Sequence, residues 1–231
     1  MYASDPVALS LPATGPSLDG TTRFAEDPLV RNIGGTPLVP LRSLPPIDGR
    51  PFELWGKAEF RNPTGSVKDR AALGIVRRAI LEGRLTGDRT LLDASSGNTA
   101  IAYAMLGARL GFAVELYLPA NVPADRLARL RGYGARLVLT DPVEGTDGAQ
   151  RAARRRSEEE PDRLFYADQY NNPANPDAHY ATRASRCASP SLTGSPNGWL
   201  PCSPLCTWCS TRATWPAVAS RLPGVIWQRR R

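Results

Sequence analysis

Apolar residues recur along this chain with two alternating periods. Phe52-Glu53-Leu54-Trp55-Gly56-Lys57-Ala58-Glu59 predicts a strand. From Val67 to Leu85 the residues Ala71, Ala72, Ile75, Val76, Ala79 and Ile80 fall at steps of three and four. That spacing predicts a helix with one buried face, and Gly83 and Gly87 mark its end. Thr90–Ala94 predicts a short strand. Asn98–Leu110 predicts a helix apolar on most sides and therefore buried. Phe112–Leu118 predicts a strand, and Pro123–Tyr133 a helix with proline in its first turn. Ala135–Thr140 predicts a strand, Gly145 to about Glu159 a helix with its charges outward, and Leu164–Ala167 a further strand. The alternation predicts an α/β fold: a parallel sheet with helices on both faces.

The rhythm stops near Thr182. Residues 183–231 hold all four cysteines and four of the five tryptophans, and no Asp, Glu or Lys. Three origins fit such a change of vocabulary: a disordered basic tail, a small cysteine-rich module, or coding sequence read out of frame. Tryptophan and cysteine are poor ingredients for disorder, and loss of three side-chain types at once favours the frameshift.

Charge reinforces that division. The net charge is +7, yet no acidic residue follows Asp177, and seven arginines lie from Arg183 onward. The body is neutral, which argues against a nucleic-acid surface. No run of apolar residues is long enough to span a bilayer. Residues 1–27 read as a flexible arm rather than a secretory signal. The body has no cysteine, so a cytoplasmic location is expected.

The chemistry concentrates in loops. Lys57 and Lys68 are the only lysines beside 27 arginines. Arginine does not lose its proton in a protein, so a lysine at a loop-to-helix junction, in Asn62-Pro63-Thr64-Gly65-Ser66-Val67-Lys68-Asp69-Arg70, invites a Schiff-base role. A solvated surface lysine beside Asp69 is the bland alternative. Asp93-Ala94-Ser95-Ser96-Gly97-Asn98-Thr99 ends a strand and opens a helix. Backbone N–H groups converge there and suit a carboxylate or phosphate, although Ser, Asn and Thr are also ordinary capping residues. Asp168–Pro176 is a third polar loop after a strand, readable as a turn cluster. His179 is the only histidine, which argues against a Ser-His-Asp triad or a multi-histidine metal site, and it reads as a structural side chain. Cys202, Cys206 and Cys209 have the spacing of an iron–sulfur triad, but too little chain follows for the barrel such enzymes need. No metal is expected.

Taken in order, these segments resemble the cysteine synthase family of pyridoxal-phosphate enzymes, the second fold type, whose architecture is tryptophan synthase β-like. Asn32-Ile33-Gly34-Gly35-Thr36-Pro37-Leu38-Val39 resembles the first motif, with Gly35 where Asn is usual. Asn62–Arg70 resembles the lysine motif. Ser95–Thr99 resembles the substrate loop, with Ser95 where Thr is usual. Gln169–Asn175 resembles a segment with a substrate-contacting glutamine. The resemblance implies pyridoxal 5'-phosphate as cofactor. It implies that Lys68 carries the cofactor and acts as base, and that Asn98 meets the cofactor's 3′ oxygen. Ser95, Ser96, Gly97, Thr99 and Gln169 would hold the substrate carboxylate. The implied reaction is β-replacement at an activated serine, O-acetylserine or O-phosphoserine plus sulfide giving cysteine. A related lyase such as a cysteine desulfhydrase is the alternative.

The resemblance also implies domains: 28–69 as the N-terminal part of a large domain, 70–182 as a smaller substrate-binding domain, and 183–231 outside the family pattern. The family's glycine-rich phosphate loop has no counterpart in 183–231. The large domain is therefore expected to be incomplete, strand 52–59 to lack neighbours, and activity to be impaired, with no stable cofactor absorbance near the visible edge. A homodimer is expected of intact members. A non-catalytic remnant that binds a serine acetyltransferase-type partner is a further alternative.

Overall fold

The computed structural model describes residues 24, 26–41, 53–187 and 225–228. Most of the N-terminal arm and the Cys202–Cys209 triad therefore lie outside the described residues.

The Asp27 carboxylate accepts from the N–H groups of Leu29 and Val30 and starts a short helix, α1 (Pro28–Arg31). Strand β1 (Leu38–Pro40) pairs antiparallel with β2 (Glu53–Lys57), Leu38 opposite Lys57. A 3₁₀ turn at Glu59–Arg61 follows, and then helix α2 (Lys68–Leu81). From there the alternation holds. Strand β3 (Thr90–Ala94) leads into α3 (Asn98–Leu110), and β4 (Val114–Pro119) into α4 (Ala124–Gly132). Strand β5 (Arg136–Thr140) leads into α5 (Gly145–Glu159), and β6 (Leu164–Tyr166) into α6 (Ala174–Cys187). A last strand, β7 (Val225–Gln228), pairs antiparallel with β2.

Two expectations need correction here. Residues 53–57 do not join the parallel sheet; they form the middle of a separate antiparallel sheet ordered β1-β2-β7. Nor does that strand lack neighbours, since both its edges are paired. The parallel sheet has four strands, ordered β5-β4-β3-β6.

Side chains alternate across the parallel sheet, as strand geometry requires. Leu91, Leu116, Leu118 and Phe165 face the cluster built with α2, α3 and α4. Leu92, Ala94, Tyr117 and Leu164 face the other way, onto Ala149 and Ala153 of α5. The prediction of helices on both faces is met. Helix α3 is buried around most of its circumference because α2 packs on its outer side. Gly107 permits the close approach of α3 to β4: a Cβ there would stand 2.4 Å from Val114 Cγ2. The sheet thus places four strand-to-helix loops at the carboxyl ends of its strands, where parallel sheets bind ligands.

Candidate active site

The Lys68 loop is built on two carboxylates, one buried and one half-buried. Asp69 is fully buried. It accepts from the Thr64 N–H at 2.8 Å and from the Thr64 hydroxyl, which closes the turn through Gly65 (φ +84°). Burial pushes the Asp69 carboxyl up, and the Thr64 bonds only partly offset this. Asp69 is therefore no surface partner of Lys68; it points inward and shapes the loop.

Glu59 is the second anchor. Its carboxylate accepts from Thr36 Oγ1 (3.0 Å), Asn62 Nδ2 (2.8 Å), Arg70 Nε (2.9 Å) and Arg70 Nη2 (3.0 Å). Burial raises Glu59, but the bonds from Arg70, Asn62 and Thr36 outweigh it and hold the carboxyl below its ordinary value. Arg70 Nη2 also donates to Thr36 Oγ1 at 2.7 Å, and Asn62 Oδ1 accepts from the Gly34 N–H at 2.8 Å. The Gly34–Thr36 segment and the Lys68 loop are thereby locked together.

The two lysines differ in access. The Lys57 side chain is only 9% exposed, with Nζ 4.0 Å from Glu59. Lys68 is exposed at the first residue of α2, its N–H donating to Ser66 Oγ at 3.2 Å. Of the two, Lys68 is the amine a carbonyl compound can reach.

The loop from β3 to α3 carries the other predicted residues. Ser95 is buried, and its Oγ accepts from Gly97 N (3.4 Å) and Ala100 N (3.2 Å). Gly97 is the N-cap residue, and Ser95, two residues before it, satisfies the Ala100 N–H of the first turn while its hydroxyl hydrogen stays available to a ligand. The Ser96 carbonyl accepts from Arg126 Nη1 at 2.8 Å. A Cβ on Gly97 would meet nothing within 4 Å, so open space lies over the loop. Asn98 is exposed and Thr99 buried, at the first turn of α3. The first N–H groups of a helix lack intrahelical acceptors, and those of Asn98 and Thr99 have no bond to another described residue. A carboxylate fits there electrostatically.

Helix α4 ties the two loops together. Arg126 holds the Ser96 carbonyl, and Arg129 Nη2 reaches the Thr64 carbonyl at 3.4 Å. Residues three apart on a helix are surface neighbours, roughly 5–6 Å between Cβ atoms. The Lys68 loop and the Ser95–Thr99 loop therefore sit side by side.

The third loop arrives beside them. Gln169 is 7% exposed, and its Nε2 donates to the Ala94 carbonyl at 2.9 Å. Its N–H donates to Asp93 Oδ2 at 3.3 Å, and its carbonyl accepts from Asn175 Nδ2 at 2.8 Å. Asp168 takes a left-handed backbone (φ +43°), and its carboxylate accepts from Asn171 Nδ2 at 2.9 Å. His179 is half-buried on α6, in keeping with a structural side chain.

Four residues that matter here were not singled out by sequence reasoning: Glu59, Arg70, Asp93 and Arg126. Asp93 did carry a signal, a charge within the apolar run Leu91-Leu92-Asp93-Ala94. Among the described residues no cluster of His, Cys, Asp or Glu could hold a metal ion, and no helix is long and apolar enough to cross a membrane.

Pyridoxal phosphate fits this donor set on its carbonyl side: an accessible amine on one loop, with amide and hydroxyl donors and open space above Gly97 on the next. Known proteins agree. Residues 29–188 match the family described as pyridoxal-phosphate dependent enzyme. Cysteine synthase of Aquifex aeolicus is 45% identical over 163 residues, 70% of this chain and 50% of that protein. Cysteine synthase B of Salmonella typhimurium is 45% identical over 154 residues, 67% and 50%. Among solved structures, the cysteine synthase of Entamoeba histolytica aligns with TM-score 0.63 and 31% identity, covering 80% of this chain and 51% of that one. O-ureido-L-serine synthase aligns with TM-score 0.62 and 36% identity, covering 68% and 48%. The chain thus spans about half the length of the relatives it matches. On the family match and these identities, the chain belongs to the pyridoxal-phosphate dependent enzyme family and is cysteine synthase-like.

Proposed function

We propose that the described residues form the amino-acid half of a site for β-replacement at an activated serine, O-acetylserine or O-phosphoserine with a sulfur donor. One observation carries the proposal. Arg126 and Arg129 of α4 hold the Ser96 and Thr64 carbonyls, which places the accessible amine and the carboxylate-binding loop together.

Each residue then has a task. The N–H groups at the start of α3, with the Ser95, Ser96 and Thr99 hydroxyls, bind the substrate carboxylate. Gln169 closes on the same group from the neighbouring strand end. Two-sided capture fixes the Cα–H bond in one orientation, and such orientation lowers the barrier to proton removal. Lys68 takes that proton at its Nζ. Lys68 and Asn98 hold the cofactor, which when bound supplies an electron sink for the resulting charge. Asp69 and Glu59 keep the Lys68 loop from drifting.

The test is reductive fixation. The full chain is incubated with saturating pyridoxal phosphate, reduced with borohydride, and mapped by peptide mass. The expected label is on Lys68, with Lys57 unmodified because it is buried. Label on Lys57, or none in the wild type, contradicts the assignment.

A further inference from the structure

Asp93 ends a strand whose neighbours are apolar, yet it is 1% exposed and has no cationic partner among its hydrogen bonds. Its Oδ1 accepts from the Ala94 N–H at 2.8 Å and its Oδ2 from the Gln169 N–H at 3.3 Å. The buried Tyr103 hydroxyl of α3 faces it without completing a hydrogen bond of normal geometry. Tyr166 lies on β6, Asp168 and Tyr170 on the turn after it, and Arg154 of α5 reaches Asp168 at 3.9 Å. From β4, Asp93 is paired with Leu116, which brings no charge. Among the described residues no cation hydrogen-bonds the carboxylate.

Resting on the functional reading above, we infer that Asp93 is a proton-linked positioning residue. When ionised it holds the Gln169 turn against the Ser95 loop. When a substrate carboxylate arrives on that loop, Asp93 takes up a proton from solvent, its bond to the Gln169 N–H weakens, and the turn can adjust to the ligand.

Three observations support this. Burial pushes the Asp93 carboxyl up to about 7; the Ala94, Gln169 and Tyr103 donors oppose the shift, and the nearby Asp168 charge adds to it. Small perturbations therefore change its charge near neutral pH. A second anion at the start of α3 is such a perturbation, because like charges raise each other's pKa. And the Gln169 bond, at 3.3 Å, is longer than the 2.8 Å Ala94 bond, so it is the one neutralisation loosens first. In the resting arrangement Gln169 Nε2 is bound to the Ala94 carbonyl. That bond and the one from Asn175 Nδ2 to the Gln169 carbonyl remain, so the expected change is a shift of the Gln169 N–H rather than an opening of the turn.

The experiment follows the Gln169 backbone amide by NMR in the ¹⁵N-labelled full chain from pH 5.5 to 8.5, alone and with pyridoxal phosphate and L-serine. The free protein should show a titration with midpoint near 7, absent in Asp93→Asn. Asp168→Asn should move the midpoint down, which keeps the test valid should Asp93→Asn not fold. An amide that does not titrate overturns the inference. Serine should raise the midpoint by roughly one unit, with matching proton uptake in calorimetry across buffers of different ionisation heat. Serine binding with an unmoved midpoint overturns the coupling and leaves the substrate site standing. No serine binding at all, with Gln169 still titrating, overturns the functional reading and the ligand-linked step, while the resting hold of Gln169 by Asp93 stands.

Discussion

Two carboxylates at this site, one half-buried and one fully buried, are handled in opposite ways. Glu59, beneath the Lys68 loop, receives two bonds from the Arg70 guanidinium and sits below its ordinary pKa. Asp93, beneath the Gln169 turn, receives only neutral donors and is pushed up to about 7. A compensated charge is a fixed strut. An uncompensated one changes state within the physiological range. The loop that must present a lysine is tied to the Gly34–Thr36 segment by the first kind, while the buried Asp69 closes its turn on neutral Thr64 donors. The loop that must close on a ligand is built on the second.

The sharpest way to break this comparison is to remove the compensation. Arg70→Met leaves the half-buried Glu59 without its cation, at a cost between the about 1 kcal/mol of a surface pair and the roughly 3–5 kcal/mol of a buried one. Urea unfolding at pH 7 should show that loss. A loss of less than about 1 kcal/mol would make the Glu59–Arg70 pair an ordinary surface contact.

The next effect is pH dependence. Asp93 is raised in the folded state from 3.8 to about 7, so the folded protein binds its proton more tightly than the unfolded chain does. Stability is therefore greatest below the unfolded pKa and falls as pH rises through about 4 to 7, by at most about 4 kcal/mol. Asp93→Asn should flatten that slope. Glu59 has the reverse sign, since its folded pKa is depressed. Its stabilisation is present above the unfolded value and is lost as pH falls through the folded one, and Arg70→Met should remove that acid sensitivity.

Smaller effects test the tie through α4 and the Ser95 support at the start of α3. Arg126→Met removes a charge-assisted bond to the Ser96 carbonyl, with an expected cost of about 1.5 kcal/mol. If the loop is held as described, serine affinity falls by about tenfold for every 1.4 kcal/mol of that cost expressed at the site. Ser95→Ala removes the oxygen accepting from Gly97 and Ala100, and should cost about 1 kcal/mol in thermal unfolding.

Legibility followed contact range. The elements from Thr90 to Tyr166 were legible because each strand and helix carries its own period, and the parallel sheet followed from their alternation. Strand β2 was found but misassigned, because nothing local shows that residues 53–57 pair with 38–40 and 225–228 rather than with the parallel sheet. Helix α6 is not predicted by the sequence, and its first three residues fall in the segment that reads as a turn cluster. Asn175-Pro176 suggests a break, yet Pro176 lies in the first helical turn, where a missing N–H costs nothing. The Lys68 and Ser95–Thr99 loops stand out by residue type and place, whereas Gln169 is singled out only by the family resemblance, its loop reading otherwise as a turn cluster. The supports of these loops were not legible. Arg70 meets Thr36 and Asp93 meets Gln169 across long stretches of chain, and no periodicity encodes such meetings.

The central claim is that the Lys68 amine and the start of α3 face one ligand. Titrating pyridoxal phosphate into the ¹⁵N-labelled full chain should shift the Asn98 and Thr99 amides together with modification at Lys68, and Lys68→Ala should abolish both changes. Modification of Lys68 with the Asn98 and Thr99 amides unmoved would contradict it.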